Sequence, residues 1–224
     1  MDQRERTSTR VPVDGSRTLY GSPGSGSAAV EMALRAAGVE YRIVRASTWE
    51  PGPALEELRR VNPLGQIPTL VEPDGAVLTE SAAILIHLAL AHPDAALLPG
   101  EPSARARALR GLVYIAANCY SAISVCDYPE RWTTATDDAA RERLRQAART
   151  NLHRSWEIFA DQYGDDPVLD GDPPGALAFL TVVVSQWSGA RDHLAKTRPS
   201  CRALIDRLEQ HPRLAAVLAE HRAK

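Results

Sequence analysis

Three hydroxyls stand close together near the start of the chain. Ser22, Ser25 and Ser27 lie in the segment LYGSPGSGS, and an apolar stretch over residues 28–37 follows, closed by Gly38. Serine at the start and glycine just past the end are helix punctuation. A hydroxyl placed there either caps the helix or, with the positive end of the helix dipole behind it, donates to an anion. A second such place is Glu80-Ser81, where a short strand pattern gives way to an apolar helical run. Ser81 suits an ordinary helix start there, and the same N-terminus suits an anion. Between the two, the segment NPLGQIP (62–68) ends in Ile67-Pro68 at the opening of a strand pattern. Taken singly, each feature has a structural reading as good as its chemical one.

The elements that carry these residues follow from periodicity. Residues 18–21 read as a strand, 28–37 as a helix, and 41–44 (YRIV) alternate as a strand does. A short helix over 51–61 follows, with Leu55, Leu58 and Val61 on one side. Strands over 67–71 and 76–79, joined by the turn Pro73-Asp74-Gly75, predict an antiparallel hairpin, and residues 80–91 return to helix. The first half needs a right-handed parallel crossover. The polar, proline-bearing stretch 93–103 is the expected linker, and 104–224 read as helix throughout. Leu109, Leu112, Val113, Ala116, Tyr120 and Ile123 mark one helical face. Thr136, Asp137 and Asp138 start a helix that turns Leu144, Ala148, Leu152 and Phe159 inward. Residues 176–187 are apolar nearly all round, as a central buried helix is, and two short helices around 204–208 and 214–218 break at His211-Pro212. The expected organisation is a mobile leader over 1–17, an α/β domain over 18–92 and an all-helical domain over 104–224.

The combination of LYGSPGSGS, NPLGQIP, TLVEPDG and Leu78-Thr79-Glu80-Ser81 resembles the glutathione transferase superfamily. The likeness is strong from Thr18 to about Leu98 and rests on architecture and length beyond. It implies a thioredoxin-like N-terminal domain, an all-α helical-bundle C-terminal domain and glutathione as co-substrate. It implies a cis Ile67–Pro68 bond, with the main chain of Ile67 pairing with the cysteinyl unit of glutathione as an added strand would. Ser81 then takes the γ-glutamyl carboxylate and Glu80 faces its ammonium, with Gln66 a further contact to the peptide. The triplet Pro23-Gly24-Ser25 resembles the serine-type members, which makes Ser25 the expected activator of the thiol. Ser22, Ser27 and Tyr20 remain alternatives. A cysteine-type member has Cys one place later, where this chain has Gly26.

The second substrate, an electrophilic small molecule, is expected between the domains. Tyr114, Asn118, Tyr120, Trp132 and Trp187 are candidates for that pocket, although aromatic residues at these spacings serve a core equally well. Cys119 reads as a small buried apolar residue rather than a nucleophile. For the glycyl carboxylate, Arg45 is the nearest basic residue and Trp49 a stacking partner. One departure falls in the second domain. Family members often start the central helix with Ser or Thr and an Asp three places on, where this chain has Gly175 and Ala178. The alternative is therefore a non-catalytic glutathione- or ligand-binding or interaction protein of the same fold. A glutathione-dependent thiol–disulfide reductase is disfavoured by the lack of Cys at the helix start.

Composition narrows the rest. The chain has 224 residues, 26 basic against 28 acidic, and a net charge of −2, which argues against nucleic acid as a partner. The apolar runs over 82–91 and 176–184 are too short to cross a bilayer, so no membrane is expected. Three cysteines, Cys119, Cys126 and Cys201, make neither a disulfide framework nor a metal site. The expected location is cytoplasmic, and the family likeness implies a homodimer. All three thiols should be free, so reducing agent should leave the melting temperature unchanged. A fall of several degrees on reduction would place a disulfide in the chain and the protein in an oxidising compartment.

Overall fold

The structure is a computed structural model that describes residues 16–47 and 49–223. The leader expected over 1–17 lies outside the described residues except for its last two. Of these, Arg17 already belongs to the fold: its Nε donates to Glu72 Oε2 at 2.8 Å and its carbonyl accepts from Arg42 N at 2.8 Å.

The first domain runs β1 (Thr18–Gly21), α1 (Ser27–Ala36), β2 (Arg42–Arg45), α2 (Pro53–Val61), β3 (Thr69–Val71), β4 (Val77–Thr79) and α3 (Ser81–Ala91). The sheet order is β2-β1-β3-β4. β1 and β2 are parallel, while β3 runs antiparallel to both β1 and β4. This is the thioredoxin-like arrangement. Period-two alternation sorts β1 onto two faces. Leu19 enters the large core shared with α1 and α3, and Tyr20 enters a smaller cluster with Leu55 and Leu58 of α2.

The second domain is helical: α4 (Pro102–Tyr114), a π-helical turn (Ile115–Tyr120), α5 (Ser121–Asp127), α6 (Asp138–Tyr163), α7 (Ala176–Val184), α8 (Ala190–Thr197), α9 (Pro199–Glu209) and α10 (Pro212–Arg222). Every residue of α7 is buried, as an all-round apolar helix requires. α6 starts on an Asp137 side chain that accepts from Ala140 N, and its inward column is Ala148, Leu152, Trp156, Phe159 and Tyr163. Leu144 is only half-buried.

Three expectations need correcting. The face of α4 lies differently: Ala108, Leu112, Ile115, Cys119, Ala122 and Cys126 are buried, and Val113 is 56% exposed. This column keeps helical spacing through the π turn, and Val113 lies one position round the helix from Leu112, outside it. α8 had no element of its own within the stretch read as helix, because its short, polar sequence ARDHLAKT shows no apolar stripe to mark its ends. α7 ends at Val184, short of Trp187, because Arg191 closes it: Nη2 donates to Val182 O at 2.7 Å and Nε to Ser185 Oγ at 3.1 Å. A cation on the last carbonyls suits the negative end of a helix. Gln186 and Trp187 are thereby released into a turn. The continuous run Pro102–Asp127 is long and apolar enough by composition to span a bilayer. Here it packs against α6 and α7, as a core helix does.

Cys119, Cys126 and Cys201 are free and buried, and burial pushes the Cys119 thiol up to about 12 and that of Cys201 up to about 11. The missing capping pair of α7 has a main-chain substitute. The Ala176 N–H donates to Leu97 O at 2.8 Å, and a Cβ on Gly175 would stand 2.6 Å from that oxygen. Glycine lets the segment before α4 lie against the start of α7. Gly175→Ala should therefore destabilise the protein by about 1–3 kcal/mol, with roughly 2–4 °C lost in Tm per kcal/mol for a chain of this size. Gly100→Ala, where a Cβ meets nothing within 4 Å, should be near neutral in the same thermal melt.

Candidate functional site

The turn from β1 into α1 is tied to itself by hydroxyls. Ser25 Oγ donates to Ser22 O at 2.7 Å and accepts the Ser27 N–H at 3.3 Å, and the two hydroxyls of Ser25 and Ser27 lie 3.0 Å apart. Gly24 makes the bend possible with φ +71°. The three serines are not equivalent. Ser27 is fully buried beneath β1, where a Cβ on Gly21 would stand 2.5 Å from its Oγ. Ser25 lines a cavity of about 260 Å³ between the domains, together with Ala28, Gln186, Trp187, His221 and Arg222. Neither Ser22 nor Ser27 lines it. Tyr20 points to the α2 side, where its hydroxyl donates to Glu57 Oε1 at 2.7 Å. Burial and the Glu57 carboxylate push that phenol up to about 12.

The loop before β3 is set by Asn62, to which sequence reasoning gave no role. Its Nδ2 donates to Gln66 O and to Thr69 Oγ1, both at 3.0 Å, and its Oδ1 accepts from Leu64 N at 3.1 Å. Thr69 Oγ1 adds a donation to Gln66 O at 2.8 Å. The Gln66 carbonyl is thus saturated inward while its side chain is exposed. The Ile67–Pro68 bond is cis. Among the described residues, neither the N–H nor the C=O of Ile67 has a partner. Buried or half-buried main-chain groups left open in this way are places for an extended ligand backbone.

Glu80 stands at φ +64°, in the left-handed region that a side chain disfavours, and such strain collects at binding sites. It is exposed, and Ser81 after it is buried as the first residue of α3. No side chain caps that helix, so its first-turn N–H groups stay open. Ser81 is therefore the first helical residue and not the cap.

The candidates for the second-substrate pocket separate. Trp187 lines the cavity, and the Tyr120 ring lies 5.8 Å from it. Tyr114 donates to Ser155 O at 2.9 Å and packs on Phe159, inside the helical domain. Asn118 is exposed, its Nδ2 donating back to Tyr114 O at 3.0 Å, and Trp132 is 56% exposed on a 3₁₀ turn. Arg45 lies 3.5 Å from Glu31, and Trp49 is 53% exposed. Among the described residues, no group of three His, Cys, Asp or Glu side chains is arranged to hold a metal ion.

One pair at the site was not legible. His221, on α10, receives the Gly24 N–H at Nδ1 (3.2 Å), which leaves its Nε2 proton for Glu31 Oε1 at 2.7 Å. Both side chains are buried. The pair ties α10, α1 and the serine turn together across 190 residues of sequence.

Comparison with known proteins bears on the family and the fold. Residues 27–91 match the family described as glutathione S-transferase, N-terminal domain. The chain is 30% identical over 201 residues, 89% of its length, to the GST-like protein YncG of Escherichia coli K12, of which it covers 96%. A glutathione transferase homologue from Sulfitobacter, solved with bound glutathione, superposes with a TM-score of 0.78 at 23% identity, covering 92% of this chain and 98% of that one. A glutathione S-transferase from Methylobacterium radiotolerans, solved with glutathione sulfonate, gives 0.73 at 27% identity, covering 90% and 94%.

Removing one partner of the buried pair should be costly. His221→Ala leaves the Glu31 carboxylate buried with only Arg45 and Tyr41 near it, each at 3.5 Å. Denaturant unfolding should show a loss of about 3–5 kcal/mol, while the Glu31→Leu/His221→Leu double variant should recover most of it. Equal losses in both variants would mean that the pair contributes by packing alone.

Proposed function

The chain belongs to the glutathione S-transferase superfamily, and from that premise we propose that it binds glutathione along Ile67–Ser81 and presents its thiolate to an electrophile in the cavity beside Ser25. The observation that carries this reading is that Ser25, of the three serines in the turn, is the one that lines the cavity, at the N-terminal end of α1. Ile67 would pair with the cysteinyl backbone, Ser81 and the open N–H groups of α3 would receive the γ-glutamyl carboxylate, and Glu80 would face the ammonium. Gln66 is placed to reach the peptide from its exposed side. Trp187 and Tyr120 would bound the second substrate, while Tyr114 is committed to the core.

The chemistry required of Ser25 is a pKa shift. A free thiol titrates near 8.5, so only a few per cent is thiolate at pH 7, and lowering it by about two units takes roughly 2.7 kcal/mol. The thiol proton leaves to water, and the Ser25 hydroxyl turns from Ser22 O to the sulfur. It gives up a neutral hydrogen bond of about 0.5–1.5 kcal/mol for a charge-assisted one of about 1.5–3. The net is about 1 kcal/mol, and the start of α1 adds up to about 1 more. This accounts for most of the shift but not all of it.

The reading is of a glutathione transferase-type enzyme, with the conjugation, isomerisation or dehalogenation variant set by the cavity. The binding-protein alternative rested partly on the lost capping pair of α7. Leu97 O now fills that role, so the departure carries no functional weight. We extend from the family a two-fold homodimer and a cytoplasmic location.

Ser25→Ala should raise the pKa of bound glutathione by about one unit. Thiolate absorbance titrated with pH reads this directly. Below the lowered pKa both forms are protonated and should bind glutathione equally, so the difference lies between the two titration midpoints. Turnover at pH 7 should fall about tenfold. Coincident titrations would make Ser25 a helix cap only. A wild-type thiol pKa that is not lowered would leave glutathione bound without activation, and the binding-protein reading would win.

A further inference from the structure

Tyr120 belongs to the helical domain, yet its hydroxyl lies in the first domain's site. A Cβ on Gly26 would collide with that hydroxyl, and it would stand 3.8 Å from Pro68 Cδ. Among the described residues, the Tyr120 hydroxyl is buried with no hydrogen-bond partner of good geometry. The Ser81 side chain lies within hydrogen-bonding reach of it but off line, and the Glu80 carboxylate is its nearest charge. The oxygen thus lies against Gly26 and beside Ser81, with Pro68 on the same side of Gly26, and all three belong to the proposed glutathione site.

An unpartnered buried hydroxyl is a costly feature in a free protein, and it persists where a ligand completes it. Tyr120 is also the last residue of the π-helical turn, the single place where the run from α4 to α5 leaves α-helical register. Turns of this kind recur at functional sites because they re-aim a side chain. Burial pushes the Tyr120 phenol well above its ordinary value, so it stays protonated and can donate.

We propose that Tyr120 is a second hydroxyl donor to the glutathione sulfur, carried across the domain interface by the π turn and seated in the space that Gly26 leaves by having no side chain. The proposal rests on the glutathione reading above. Ser25 and Tyr120 then hold the thiolate from two domains, and Tyr120 meets the first substrate rather than only the second. No covalent step is involved: the thiol proton goes to solvent, and a sulfur lone pair accepts the Tyr120 O–H.

The test uses the full chain with glutathione as probe. Calorimetric binding and thiolate titration are measured for wild type, Tyr120→Phe, Gly26→Ala and the double variant. Tyr120→Phe should bind glutathione but raise the bound thiol's pKa by about one unit, a tenfold change in ionisation. Gly26→Ala, which expels the hydroxyl, should do the same. In the double variant the alanine should add nothing, because phenylalanine no longer brings an oxygen into its path. Without glutathione, Tyr120→Phe should melt at the wild-type temperature or above it, since the hydroxyl it removes has no partner. Unchanged titration in Tyr120→Phe with binding intact would overturn the role of Tyr120 and leave that of Ser25 standing. A drop of several degrees in its ligand-free Tm would also overturn it, by showing that the hydroxyl already has a partner. Failure of the wild type to bind glutathione would overturn this proposal together with the reading beneath it.

Discussion

The turn between β1 and α1 exists in its observed shape because two positions beside Ser25 have no Cβ. At Gly21 the vacant space is filled from below by the Ser27 hydroxymethyl, and at Gly26 it is filled from across the interface by the Tyr120 hydroxyl. Any side chain at either place would force one of these groups away. The turn is therefore clamped on two sides with its hydroxyls converging, and Ser25 is left as the one that faces the cavity. A first strand ending in glycine, a glycine at φ +71° and a third glycine at the helix start are three different steric requirements met within six residues of LYGSPGSGS.

The site consequently belongs to both domains. The first supplies open main-chain groups at Ile67, the uncapped start of α3 and the serine turn. The second supplies the groups that hold these in place: His221 on the Gly24 N–H, Tyr120 over Gly26, and the start of α7 on Leu97 O. Each contact is made by main chain or by a buried polar atom, so each has a fixed geometry. A cavity assembled this way has its shape set by the α7 and α10 termini, and these are the places where a change of electrophile would be accommodated.

Local order was legible in the sequence because local rules dictate it. Alternation placed β1 and β2, and the Pro73-Asp74-Gly75 turn fixed the β3–β4 hairpin. The apolar content of residues 176–184 fixed α7 as the central helix, and Asp137 opened α6 as its position among acidic residues suggested. Ser25 and Glu80-Ser81 stand at helix starts, as the sequence placed them, while the roles expected of them came from the family resemblance. What failed was nonlocal or register-dependent. Val113 faces solvent because the buried column of α4 runs through Ala108, Leu112 and Ile115, and an apolar residue beside that column looks the same in sequence. Arg191 stops α7 from within the next helix. Asn62 had no role in the sequence reading, although it holds the main chain at Leu64 and Gln66 and the Thr69 hydroxyl beyond Ile67. Glu31 carried no role in the sequence because its partner, His221 of α10, lies 190 residues away.

The bond between Glu31 and His221 spans nearly the whole chain, and this bears on how the molecule is made. Domains form as synthesis proceeds, from the N-terminal end first. A growing chain can complete the sheet and α1 to α3 while the Gly24 N–H still lacks its acceptor and the Glu31 carboxylate its donor. Contacts of such separation are closed late. The half-made protein thus holds the serine turn without its imidazole anchor, which α10 supplies. The serine turn and the buried carboxylate therefore take their final geometry only when α10 docks on α1.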